Sequence, residues 1–317
     1  MTSFHFPFLL DPSSRAGVVV GTQKTFPGAE TAVNEFLGIP YAAPPLGALR
    51  SALPSPPAPW STPLNATAWP NACIQQGNTD VLLAPESEDC LYVNVFAPAS
   101  ASPAVPDAGK ESGGRAVMVW IHGGGLKSGS ASMTRHDGTS FAAHQDVVVV
   151  NLNYRLGPFG FPISPAWVQE NIAHFGDDPS KVTIFGESSG ATSVSRLVGT
   201  MNDTGSRTFR AAIQQSGVYE SAWVMDPPGD VIGPAAWPLL VKSLNCKSSK
   251  GNSSSIMPGS VKAAAELACV RAAPADSIRA IINDPSSSLS FYPVDDDITQ
   301  LSDPDRARAE GHAHGPI

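Results

Sequence analysis

Val182-Thr183-Ile184-Phe185-Gly186-Glu187-Ser188-Ser189-Gly190-Ala191 is the stretch that decides the fold. It opens on a short apolar run of β-branched and aromatic residues. The run breaks at a glycine, and small and apolar residues follow from Ser189 to Val198. That pattern predicts a buried strand, a tight turn and a helix. Gly186-Glu187-Ser188-Ser189-Gly190 is a Gly-x-Ser-x-Gly match across the turn. So tight a turn forces Ser188 into a strained backbone conformation, and the flanking glycines leave room for it. The hydroxyl then projects above the sheet edge. The helix N-terminus behind it offers a backbone N–H and a favourable dipole to a developing oxyanion. The plainer alternative is a glycine-rich turn with a serine N-cap.

Upstream, Ala116 to Ile121 is a continuous apolar run, and His122-Gly123-Gly124-Gly125 follows it directly. A tetrahedral intermediate needs several N–H donors aimed at one point. Consecutive glycines supply them with no side chain in the way. His122 reads as a residue that orients this loop and not as a general base. Val147 to Leu152 is another continuous run, and Ala211 to Gln215 a further strand. Such runs predict strands buried on both faces, hence a parallel sheet covered by helices. Leu91 to Phe96 is also a strand by content. Val18 to Val20 and Thr31 to Val33 flank a Pro27-Gly28 turn and predict a hairpin. Pro40 to Pro70 predicts an irregular connection. Helices are predicted over 166–175, 189–198, 235–244 and 261–273. The alternation argues for one α/β domain spanning 1–317.

Composition excludes several functions. The chain has 317 residues, 42% hydrophobic, with 15% charged residues and a net charge of −8. It lacks the Lys/Arg clusters of a nucleic-acid partner. No apolar run is long enough for a membrane span. Phe4 to Leu10 is apolar, but it is short, broken by Pro7 and preceded by no basic residue, so it does not read as a signal peptide. Cys73, Cys90, Cys246 and Cys269 form an even set, and Asn65, Asn202 and Asn252 are glycosylation acceptors, as in secreted proteins. Reduced thiols and chance acceptors are the alternative.

Further motifs carry a family resemblance. Glu35-Phe36-Leu37-Gly38-Ile39-Pro40-Tyr41-Ala42, then Pro44-Pro45-Leu46-Gly47 and Leu49-Arg50, resemble the opening of type-B, cholinesterase-like carboxylesterases. Ser87 to Val95, Trp120 to Gly125, Asn153 to Phe161, Val182 to Ala191 and Gln215-Ser216-Gly217 follow in that family's order. The resemblance covers nearly the whole chain from about Gly17. It implies the α/β-hydrolase fold, with Ser188 as the acyl-forming nucleophile. Gly124, Gly125 and Ser189 would be the oxyanion donors. The family usually has Ala where Ser189 stands, but the donor there is a backbone N–H. It further implies disulfides Cys73–Cys90 and Cys246–Cys269, a small-molecule or lipid ester substrate, secretion, and a mechanism with no metal and no organic cofactor.

Two departures modify that expectation. The family continues past this chain's end with a Glu or Asp and then a His. Phe291 to Asp297 resembles the stretch just before the strand that carries the acid, so both partners are expected to be missing and the domain C-terminally incomplete. Asp295, Asp296, Asp297, Asp303, Asp305 and Glu310 precede His312 and His314 in the formally right order. The plainer reading of that tail is a frayed polar terminus. In addition, a family segment is missing after Pro165. The crossover helix is then left about ten residues, or roughly 15 Å, and one sheet face is expected to be thinly covered. The readings are an ester hydrolase, a non-catalytic cholinesterase-like binding or adhesion protein, and an inactive fragment.

Overall fold

The computed structural model describes residues 5–8, 17–29, 31–77, 82–99, 114–161, 166–175, 177–200, 208–217, 231–232, 235–246, 261–287 and 289–293. The first half of the chain is mainly strand: β1 (His5–Phe8), β2 (Val19–Lys24), β3 (Val33–Pro40), β4 (Leu64–Asn65), β5 (Ala72–Cys73), β6 (Glu86–Ser87), β7 (Tyr92–Pro98) and β8 (Arg115–Ile121). Then α1 (Thr139–Gln145), β9 (Val148–Leu152), α2 (Ala166–Asn171), β10 (Asp177–Glu187), α3 (Ser189–Thr200) and β11 (Ala211–Gln215) alternate. The last described elements are β12 (Val231–Ile232), α4 (Ala236–Ser243), α5 (Val261–Ala272), α6 (Ala275–Ile282) and β13 (Leu289–Ser290).

Nine strands form one sheet in the order β1-β2-β3-β7-β9-β8-β10-β11, with β4 on β2. From β1 to β9 the neighbours on this path are antiparallel. From β9 through β8 and β10 to β11 they are parallel. The expected hairpin is present with its strands shifted. Its second strand starts at Val33 and runs on to Pro40, because Phe36, Leu37 and Ile39 are all buried. The Pro-rich connection is irregular as expected, apart from β4 and one 3₁₀ turn at Gly47–Leu49.

The expectation that the apolar runs are buried on both faces holds only for β9, where all five residues are buried. β8 and β10 alternate instead. Val117, Val119, Ile121, Val182 and Ile184 join a core with Val194 and Val198 of α3. Trp167, Val168, Ile172 and Phe175 of the short crossover enter the same core. Phe175 sets its ring edge-on to Phe36 at 5.2 Å. The face beneath the shortened crossover is therefore the well-covered one. The opposite face is thin: Met118, Trp120 and Phe185 are half-buried, and Ile213 is 43% exposed.

A second, smaller core gathers Leu240 and Val241 of α4, Val270 of α5, Ile278 and Ile282 of α6, and Leu289. Arg50 joins it to the sheet. The Arg50 guanidinium holds Glu88 at 2.6 Å through Nε and again through Nη2, and donates to the carbonyls of Val270 and Ala273. The disulfides Cys73–Cys90 and Cys246–Cys269 are formed, with Cα–Cα separations of 5.0 and 5.7 Å. Among the described residues no helix is long and apolar enough to cross a membrane.

Candidate active site

The site lies at the carboxyl ends of β8 and β10, where successive parallel strands hand over to loops. Ser188 sits between β10 and α3 with φ 55°, a left-handed conformation rare outside glycine. Three bonds hold it there. Its N–H donates to the Gln215 carbonyl at the end of β11 at 2.9 Å, and its carbonyl accepts from the Thr192 N–H in α3 at 3.0 Å and from the Thr192 hydroxyl at 3.4 Å. The flanking glycines answer to close approach. A Cβ on Gly190 would lie 2.1 Å from the Ile121 carbonyl oxygen, and one on Gly186 would lie 2.6 Å from the Gly190 backbone. Only glycine lets the start of α3 cross the end of β8 at this distance.

The glycine loop after β8 meets this elbow. A Cβ on Gly123 would lie 3.1 Å from the Ser188 Cβ. Gly124 and Gly125 have φ of +112° and +64°, and Leu126 follows at 58°. The loop then turns on itself, with Gly124 O accepting from Lys127 N at 3.1 Å and Ser128 N at 3.0 Å. Among the described residues, none accepts a hydrogen bond from the N–H of Gly124, Gly125 or Ser189. Three backbone donors are thus left unpaired near one serine. Gly124 is exposed and Gly125 half-buried, so these donors stand open to an acceptor from outside the protein.

His122 is buried and stacks on Tyr154 with ring centroids 4.2 Å apart. Its Nδ1 is 2.8 Å from the Gly123 carbonyl oxygen. That oxygen can only accept, so Nδ1 carries the proton. Burial lowers the His122 pKa to about 3, against the Gly123 bond that raises it. The imidazole is neutral at physiological pH. Among the described residues no histidine hydrogen-bonds the Ser188 hydroxyl. His144 packs on Phe26 instead, and His136 bonds the Ser130 carbonyl. His312 and His314, with the acidic residues between Asp295 and Glu310, lie outside the described residues, as do Asn202 and Asn252. Asn65 is exposed on β4.

Three supports of the site had no reading in sequence. Leu126 takes a left-handed turn without being glycine. Tyr154, fully buried, donates from its phenol to the His122 carbonyl at 2.7 Å. Gln75 clamps Gly129, accepting from its N–H at 2.9 Å and donating to its carbonyl at 3.4 Å. Each contact joins residues far apart in the chain, so no local pattern signals it. Tyr154 alone lay within a recognisable motif.

A mixed sheet with its parallel half flanked by helices, and a serine on the β10–α3 turn at a strand's carboxyl end, is the α/β-hydrolase fold. The Carboxylesterase family profile matches residues 12–164 and 166–315. The chain therefore belongs to the carboxylesterase family. The match divides at residue 165, where the crossover is short. The BD-FAE profile also matches residues 105–226. Carboxylesterase 5A of Felis catus is 39% identical over 315 residues, covering 90% of this chain and 52% of the relative. Carboxylesterase 5A of Homo sapiens is 43% identical over 235 residues, 65% of this chain and 38% of the relative. Cocaine esterase of Oryctolagus cuniculus is 42% identical over 231 residues, 64% of this chain and 41% of the relative. The chain thus spans about half the length, or less, of these curated relatives.

Proposed function

We propose that this chain carries the nucleophile and oxyanion hole of a carboxylic ester hydrolase. Ser188 Oγ attacks the ester carbonyl carbon and gives its proton to a base. The carbonyl oxygen becomes an oxyanion held by the N–H groups of Gly124, Gly125 and Ser189. The C–O bond to the alcohol breaks, the alcohol leaves with a proton, and water then releases the acid from Ser188. The observation that carries this reading is the set of three unpaired N–H donors around a serine held at φ 55°. Preorganised donors of this kind supply much of the rate in acyl transfer, with one donor worth about 10²–10³ in rate.

The substrate class is a small-molecule or lipid ester. A net charge of −8 argues against a nucleic-acid partner. The two disulfides support an oxidising compartment, hence a secreted or lumenal protein. We read the sheet core and the smaller helical core as one domain, joined by the buried Arg50–Glu88 pair.

A fluorophosphonate probe tests the reading. Mass spectrometry should find the probe on Ser188, and Ser188→Ala should abolish the adduct. An unlabelled Ser188 in cooperatively folded protein would remove the acyl-transfer role. The lack of a bonded histidine among the described residues would then favour a non-catalytic binding or adhesion protein.

A further inference from the structure

Ser189 does two things at once in this site. Its backbone N–H is one of the unpaired donors. Its side chain is buried and faces the glycine loop, where Oγ accepts from Leu126 N–H at 3.2 Å. Leu126 holds a left-handed conformation at φ 58°. A non-glycine residue stays there only where its surroundings over-determine it. On the other side of the glycines, Tyr154 donates from its phenol to the His122 carbonyl at 2.7 Å.

The two ends of the glycine loop are held by separate contacts: Leu126 N–H donates to Ser189 Oγ just after the glycines, and the His122 carbonyl accepts from Tyr154 just before them. The first of these contacts ties the loop to the residue next to the nucleophile. A glycine-rich loop has little stiffness of its own, so its two ends set where its N–H groups stand.

We propose that the Ser189 hydroxyl is a positioning group that fixes the Gly123–Gly125 loop in register with the Ser188 elbow. The proposal rests on Ser188 and the loop acting together as read above, and it is tested by a measurement that does not need turnover.

Three variants are compared with the full chain: Ser189→Ala, Ser189→Thr and Tyr154→Phe. Amide hydrogen exchange is read at Leu126, and fluorophosphonate labelling at Ser188 is resolved into a maximal rate and a half-saturating concentration. Ser189→Ala should speed exchange at Leu126 about tenfold or more, since the amide loses its acceptor. It should lower the maximal labelling rate about tenfold, with the half-saturating concentration unchanged, as a small displacement of the donors would. Ser189→Thr keeps the hydroxyl and should restore both. Tyr154→Phe removes the separate contact at His122 and should leave exchange at Leu126 unchanged; acceleration there equal to that in Ser189→Ala would overturn the assignment to Ser189. Unchanged exchange at Leu126 in Ser189→Ala would overturn the proposal. Faster exchange with unaltered labelling would also overturn it, leaving a structural contact only. If the unmodified chain is never labelled, the nucleophile reading fails, while exchange at Leu126 still decides whether Ser189 holds the loop.

Discussion

Val182 and Ile184 of β10 are completely buried, while Thr183 and Phe185, their neighbours on the same strand, are only half-buried. The register repeats this across the sheet. Phe185 stands opposite Trp120 of β8 and Ile213 of β11, and burial falls along that row until Ile213 is 43% exposed. The first set lies under α2 and α3, and the second lies on the opposite face. The residue types hardly differ between the two faces, so the difference comes from which face the crossovers take. Strands β8, β9 and β10 all read as apolar runs, yet only β9 is buried throughout.

The largest expected effect comes from cutting into the covered face. Ile184→Ala should lower the unfolding free energy by about 2–5 kcal/mol, through lost burial and the cavity left behind. Chemical denaturation measures it. A loss below about 1 kcal/mol would mean that the covered face packs no better than the open one.

The two ends of the same strands differ in charge, and this gives the next prediction. Asp177, at the amino end of β10, is buried near Arg115, whose Nε bonds Asp146 at 2.7 Å. Burial raises the Asp177 pKa to about 7, with Arg115 opposing and Asp146 adding. The folded state thus keeps a proton that the unfolded state loses near pH 3.8, so this group costs stability as pH rises from about 4 to 7. His122, near the carboxyl end, works in the other sense. Its pKa falls from 6.5 to about 3, so stability is lost as pH falls through that window. Between about pH 4 and 6.5 the two nearly cancel. Asp177→Asn should remove the compensation. Its stability should fall by about 1.4 kcal/mol per pH unit on acidification below 6.5, and it should exceed the unmodified protein at pH 8. Urea melts at several pH values would show this, and parallel pH profiles for the two proteins would contradict it.

The smallest effect belongs to the open face. Ile213→Thr removes apolar surface that is already largely in water and keeps a β-branched residue on the strand. Stability should change by no more than about 0.5 kcal/mol. A loss near that of Ile184→Ala would show that the two faces are equally covered.

Legibility varied along the same line. The strand–turn–helix over 182–198 could be read because a buried strand, a glycine-flanked serine and a helix opening are neighbours in sequence. The loop after Ile121 could be read because glycines follow a strand directly. The Cys73–Cys90 and Cys246–Cys269 pairings came from the family pattern and are formed. The 3₁₀ turn and β4 within the Pro-rich connection were not predicted, nor was α1 between β8 and β9. The face expected to be thin under the short crossover proved well covered. Ten residues still carry Trp167, Val168, Ile172 and Phe175 inward, and aromatic bulk offset helix length.

By itself, then, the sequence determined the parallel half of the sheet, the position of Ser188 between a strand and a helix, and the glycines beside it. Those depend on apolar periodicity and on backbone freedom, which act between near neighbours. Tertiary structure alone decided which sheet face is covered, that Leu126 is hydrogen-bonded to Ser189, and that Tyr154 is hydrogen-bonded to His122. Leu126 and Ser189 are 63 residues apart, and Tyr154 and His122 are 32 apart. A hydrogen bond depends on distance and angle in space, and separations of that size carry no local pattern from which either could be read.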